Sequence, residues 1–60
     1  RRGIYALTNI NKNEKFSIAN ITTKRPDHGF GAVNWDKVIG KKSLINIKKN
    51  QPIKKSFINK

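Results

Sequence analysis

The residues best suited to chemistry lie together in the middle of the chain, at Arg25 and Pro26. Pro26 fixes its own φ and keeps Arg25 in extended backbone, so the guanidinium is presented from a stiff segment. A guanidinium holds several donors in a rigid planar fork and can recognise an oxygen-bearing group of a ligand. Arg25 is therefore the candidate binding residue, and a solvated surface arginine is the alternative interpretation.

Glycines recur in the segment that follows Pro26. Gly29 and Gly31 permit a tight chain reversal, and Gly40 can end a short helical turn at its C′ position. Asn34 is a good N-cap for that turn. We expect the loop to be shaped by Pro26, Gly29 and Gly40.

Other chemistry is poorly represented. His28 is the one histidine, the chain has no cysteine, and its three carboxylates belong to Glu14, Asp27 and Asp36. A zinc or transition-metal site needs three or four converging ligands, and these scattered residues do not supply them. We expect His28 to be an exposed loop residue. We also expect these sixty residues on their own to be neither catalytic nor metal-binding.

Composition indicates one small domain spanning residues 1–60, held together by apolar packing without disulfides. No apolar run reaches the roughly 20 residues of a membrane span, and no signal-peptide pattern is present. Absence of cysteine and of these signals favours a cytoplasmic protein without a membrane partner. Because the chain does not begin with Met, we interpret it as a fragment of a longer protein.

The formal net charge of +11 raises nucleic acid as a partner. Lys, Asn and Ile together make up 28 of the 60 residues, which is typical of an AT-rich coding genome. Only three of the fourteen positive residues are Arg, the type favoured for bidentate recognition. The charge alone therefore does not predict a specific nucleic-acid complex.

The chain repeats itself at an offset of 37 residues. Asn9-Ile10 matches Asn46-Ile47, and the turn residue Asn13, whose type tolerates positive φ, matches Asn50. Leu7, Phe16 and Ile21 match the apolar residues Leu44, Ile53 and Ile58. Because apolar and turn positions share one offset, we expect an internal duplication with a pseudo-two-fold arrangement.

Apolar runs are too short for standard helices, so the sequence predicts a mainly β fold of short strands with brief helical turns. In the first strand Ile4 and Ala6 would share one face, and Tyr5 and Leu7 the other. Trp35 is expected to be partly buried. The predicted core comprises Ile4, Ala6, Ile10, Phe16, Ile21, Val38, Ile39, Leu44, Ile47, Ile53 and Ile58.

Taken together, these motifs resemble the antifreeze-like (SAF) domain that ends bacterial sialic acid synthases. The resemblance runs through Arg1-Arg2-x-Ile4-Tyr5-Ala6, Lys24-Arg25-Pro26-x-x-Gly29, Val38-Ile39-Gly40-Lys41 and Asn46-Ile47-x-x-Asn50. Gly3 stands where that family usually has Ser, and Asn13 and Asn50 where it usually has Gly. The resemblance implies a compact β-clip fold.

Its functional implications are specific. The family's domain caps a TIM-barrel domain, commonly that of the other subunit in a homodimer, and such a barrel is absent from these residues. The parent enzyme condenses phosphoenolpyruvate with N-acetylmannosamine to make N-acetylneuraminate, an aldol-type transferase reaction that uses Mn²⁺ or Mg²⁺ held in the missing catalytic domain. Arg25 would contact this aminosugar near its N-acetyl group.

Three alternatives remain open from the sequence. The cap could belong to a related legionaminic or pseudaminic acid synthase, since these carry similar domains. It could be an ice-binding module, because fish type III antifreeze proteins have a similar fold, although Lys12, Glu14 and Lys15 suit a flat uncharged face poorly. It could also be a nucleic-acid-binding module that uses scattered lysines.

Overall fold

A computed structural model describes residues 1–59 and shows a mainly β fold with short helical turns, as predicted. Strands β1 (Gly3–Ala6) and β2 (Ile21–Lys24) form an antiparallel pair in which Gly3 lies opposite Lys24. The helical elements are a 3₁₀-helix at Ala32–Asn34, the α-helix α1 at Trp35–Val38 and a 3₁₀-helix at Lys55–Phe57. Within residues 1–59, no helix has the length and apolar character needed to cross a membrane.

The predicted duplication is visible in the backbone hydrogen bonds. The two half-motifs are residues 4–21 and 41–58. They are joined by backbone hydrogen bonds that recur in pairs at the offset of 37. The Ala6 N–H donates to the Gln51 carbonyl at 2.9 Å, and the Ser43 N–H donates to the Glu14 carbonyl at 2.9 Å. On the pseudo-axis, Ile10 and Ile47 exchange two hydrogen bonds of 2.8 and 2.7 Å. The halves therefore form one interlocked unit.

Asparagine side chains extend this reciprocity. The Lys12 N–H donates to Asn46 Oδ1 at 2.8 Å, and the Lys49 N–H donates to Asn9 Oδ1 at 2.9 Å. The turn residues Asn13 and Asn50 have φ of 74° and 72°, which confirms the left-handed conformation expected of their type. Each half thus supplies a side chain that closes the turn of the other half.

The core lies between the half-motifs and contains most of the predicted residues. Trp35, Ile39 and Ile58 are partly buried against it. Buried apolar residues are Ile4, Tyr5, Ala6, Ile10, Phe16, Ile21, Val38, Ile47 and Ile53.

Leu44 was wrongly predicted as a core residue, since it is 44% exposed. Its repeat partner Leu7 is similarly exposed, at 43%. Backbone bonds fix both leucines at an edge, where the Leu7 N–H reaches the Asn20 carbonyl and the Leu44 N–H reaches the Phe57 carbonyl. The preceding residue, Ser43, occupies the buried position instead.

All four residues of β1 are buried, so other parts of the chain cover both of the faces predicted for this strand. Tyr5 was omitted from the predicted core but is 5% exposed. β1 pairs with β2, with Gly31 and with Pro52, so other segments of the chain surround it. A strand enclosed in this way is not expected to alternate between apolar and polar residues.

Candidate functional site

The candidate site is the Arg25 loop, which we define as residues 25–29 between β2 and the first 3₁₀-helix. The loop begins with a cis peptide bond between Arg25 and Pro26, and it ends at Gly29, whose φ is +73°. Directly after it, the Phe30 N–H donates to the Ile53 carbonyl at 2.7 Å, and the Ile4 N–H donates to the Phe30 carbonyl at 3.0 Å. The loop therefore returns to the core on a fixed path.

Gly29 meets two independent requirements. Its positive φ is one that residues with a side chain rarely adopt. A Cβ at this position would also lie 2.5 Å from the Ile53 carbonyl oxygen. The close approach of the Ile53 backbone is what lets the Phe30 N–H form its hydrogen bond. Both the turn and the packing thus depend on glycine here.

Tyr5 in β1 anchors the loop at Pro26. Its ring is buried in β1, and its hydroxyl donates to the Pro26 carbonyl oxygen at 2.5 Å. Lys24 places its Nζ 4.8 Å from the centroid of the same ring, within the range of a cation–π contact. Sequence reasoning did not identify Tyr5 as a residue that holds the loop. The available signal was a tyrosine in an apolar strand, since a buried tyrosine usually finds a partner for its hydroxyl.

The end of the β ladder is braced by Arg2, whose Nη1 donates to the Thr23 carbonyl at 3.2 Å. This hydrogen bond ties Arg2 to the strand pair. Arg25 is likewise exposed, at the start of the loop. The two exposed arginines thus differ in that Arg2 is tied to the strand pair and Arg25 belongs to the loop.

The predicted helical turn is present as α1, with Asn34 immediately before it and Asp36 in its first turn. The Asn34 side chain does not cap the helix, because its Nδ2 donates to the Gly31 carbonyl at 3.3 Å. Gly40 follows the C-cap residue Ile39 and has φ of +84°. Gly31 has an ordinary φ of −66°, so Gly29 alone supplies the left-handed turn at the loop.

A shallow depression of about 430 Å³ adjoins the loop on the side of the first 3₁₀-helix. It is lined by the two N-terminal arginines, by Asp27 and by the exposed Val33. The depression combines positive charge, one carboxylate and apolar surface. Asp27 is the residue that it shares with the Arg25 loop.

His28 is exposed, as expected. Across residues 1–59, no group of three or more His, Cys, Asp or Glu residues is arranged to hold a metal ion.

Comparison with known proteins gives three findings. The sequence profile of the SAF domain matches residues 1–59. N,N'-diacetyllegionaminic acid synthase of Campylobacter jejuni is 37% identical over 54 residues, which cover 90% of this chain and 16% of that protein. The chain thus spans about a sixth of the length of this relative.

A solved structure is similar over almost the whole fold. The solution structure of an antifreeze protein-like domain from the human N-acetylneuraminic acid phosphate synthase gene has a TM-score of 0.90 and 17% sequence identity. The match covers 97% of this chain and 75% of that chain. At this identity the likeness establishes the fold.

Proposed function

Because the chain belongs to the SAF domain family, we propose that it is the capping domain of a sialic-acid-type synthase and that Arg25 contacts the acceptor sugar. The exposure of Arg25 on an anchored loop is the observation that carries this proposal. The names of both relatives, a legionaminic acid synthase and an N-acetylneuraminic acid phosphate synthase, support it.

The proposed parent enzyme joins phosphoenolpyruvate to an N-acetylated aminosugar in a TIM-barrel domain outside these residues. Barrel active sites open at the mouth formed by the βα loops, where a small domain can cover them. We place this domain over such a mouth, with the barrel of a second subunit as its partner. Its positive charge suits contact with an acidic protein surface.

In this complex, Arg25 would donate from its guanidinium to the carbonyl oxygen of the sugar's N-acetyl group. A hydrogen bond to a charged donor contributes about 1.5 to 3 kcal/mol. Since a factor of ten corresponds to about 1.4 kcal/mol, its loss would lower kcat/KM for the acceptor roughly 10- to 150-fold. Binding of phosphoenolpyruvate would be unaffected, because the cap contacts the other substrate.

The test is Arg25→Ala in the full-length protein, with kcat/KM measured separately for phosphoenolpyruvate and for the acceptor. N-acetylmannosamine and a diacetamido hexose would serve as acceptors, which also distinguishes a sialic acid synthase from a legionaminic acid synthase. Arg25→Lys should restore little activity, because an ammonium does not reproduce the planar fork. Lys48→Ala, which removes an exposed charge from the half-motif of residues 41–58, is the matched control. Wild-type acceptor kinetics in Arg25→Ala would refute the assignment.

A further inference from the structure

Among the large apolar side chains of residues 1–59, Val33 is the most exposed, at 93%. Single exposed apolar side chains are common, so this exposure alone indicates nothing. Val33, however, lies in the depression beside the Arg25 loop, together with two arginines. We call it the Val33 depression, and its lining residues are Arg1, Arg2, Asp27, Gly31, Ala32 and Val33. Arginine beside apolar surface is typical of protein–protein contacts.

The backbone that carries Val33 is held in place. The preceding residue, Ala32, donates its N–H to the Arg2 carbonyl at 2.9 Å. Arg2 is fixed as well, because its Nη1 donates to the Thr23 carbonyl at 3.2 Å. A guanidinium carries several N–H donors, so others stay available to a partner. The shape of the Val33 depression is therefore set before a partner binds, which lowers the entropic cost of association.

The Val33 depression and the Arg25 loop form one continuous surface, since Asp27 belongs to both. In the proposed function, Arg25 contacts a sugar that is held in the barrel of another subunit. An arginine side chain is only a few bonds long, so the residues beside its loop must then also approach that barrel. The Val33 depression is the apolar surface next to this loop.

We propose that the Val33 depression docks onto an acidic surface with an apolar centre, beside the mouth of the barrel of a second subunit. The inference rests on the proposed function and adds to it the face by which the domain binds. Two arginines outnumber the single carboxylate of the depression, so a complementary surface carries acidic groups. A second copy of this domain fits poorly, because its formal net charge of +11 brings like charges together.

Ile18 provides a matched control. Its side chain is also β-branched and apolar, and it is 79% exposed. Ile18 lies in the turn that precedes β2, whereas the Arg25 loop follows β2, so the control lies at the opposite end of the strand. Without a partner, a reagent in solution would reach Val33 at least as readily as Ile18.

The first experiment is thiol footprinting of the full-length protein, without substrate, in Val33→Cys and Ile18→Cys. Maleimide labelling is followed by peptide mass spectrometry, which separates each thiol from any other cysteine of the parent chain. Each rate is divided by the rate in denatured protein. We expect labelling of Val33→Cys to be about tenfold slower than that of Ile18→Cys, since only undocked molecules react. Neighbouring arginines favour the reactive thiolate, so slow labelling indicates coverage.

The second experiment identifies what covers the depression, by photo-cross-linking of full-length Val33→p-benzoylphenylalanine. We expect a product with the mass of two subunits, joined at an acidic peptide outside residues 1–60. A cross-link to residues 1–60 of a second copy, or one within a single subunit, would overturn the inference. Labelling of Val33→Cys as fast as that of Ile18→Cys would also overturn it, as would protection that appears only after duplex DNA is added.

Charge changes at Val33 test the acidic character of the partner. Val33→Asp should raise KM for the N-acetylated aminosugar about tenfold, because like charges repel across an interface. Val33→Lys should raise it less, and Ile18→Asp should keep wild-type kinetics. Equal effects of aspartate and lysine at this position would refute the proposed partner chemistry. Failure of the proposed function is a separate outcome, visible as wild-type acceptor kinetics in Arg25→Ala, whereas the footprint at Val33 is measured without substrate.

Discussion

The reciprocal asparagine contacts allow a direct test of the pseudo-two-fold arrangement. Asn9 and Asn46 occupy equivalent positions, and each accepts one backbone hydrogen bond from the turn of the opposite half-motif, at 2.9 and 2.8 Å. Both side chains are exposed. We therefore expect Asn9→Ala and Asn46→Ala to lower the free energy of unfolding by equal amounts.

The magnitude follows from the environment of the freed N–H groups. Lys12 and Lys49 are exposed, so water can bind their N–H groups once the asparagine acceptors are removed. The loss is therefore the net value of one hydrogen bond, about 1 kcal/mol for each substitution. For a domain of this size, 1 kcal/mol corresponds to about 8 °C in Tm.

Thermal and guanidinium unfolding of the sixty-residue domain would measure these losses. The double variant should lose the sum of the two, about 2 kcal/mol, because each contact uses separate groups. Asn11→Ala is the control, as its exposed side chain lies between these contacts and should change stability by less than about 0.5 kcal/mol. A loss of 1 kcal/mol at one asparagine and none at the other would show that the two halves are not energetically equivalent.

Two further predictions concern stability. Gly40→Ala should lower the free energy of unfolding by about 1 kcal/mol, since the φ of Gly40 is +84° but nothing lies within 4 Å of an added Cβ. Gly29→Ala should lower it by more than about 3 kcal/mol, because an added Cβ there also overlaps the Ile53 backbone. Equal losses in urea unfolding would contradict this account of Gly29. Hydrogen bonds from the Asn11 N–H and the Asn20 amide, the first being the larger cause, lower the pKa of Glu14 below its ordinary value of 4.5. The stabilisation by the charged carboxylate is therefore present above pH 4.5 and is lost as the pH falls through the lowered pKa. Glu14→Gln should accordingly be less stable than the wild type at pH 7 and should differ less from it at pH 3. A difference between the two that stays constant over this pH range would contradict the assignment.

The sequence predicted the features that depend on local chemistry. The offset of 37 revealed the duplication because turn residues and core residues both recur. Asn13 and Asn50 were identified as turn residues because asparagine tolerates positive φ, and the structure confirms both. Short apolar runs without helical periodicity predicted a mainly β fold correctly.

What the sequence could not show were contacts between distant segments. Tyr5 was not recognised as an anchor because Pro26, its partner, is 21 residues away. The exposure of Leu44 depends on which edge of the second half-motif packs inward, and hydrophobicity alone does not determine this. The close approach of the loop to Gly3 likewise depends on tertiary packing.

The division of labour within the chain follows from its duplication. Residues 4–21 and 41–58 are bound to each other by paired contacts, so a change in one half disturbs the fit of the other. Residues 22–40 lie between the halves, have no repeated counterpart and include the Arg25 loop. Apart from Gly29 and the buried Val38, this connection can vary in sequence without breaking the reciprocal bonds, provided that its ends remain attached to β1 and the core. A ligand-contacting residue is best carried by such a segment, because the scaffold fixes its location while its chemistry remains free to change.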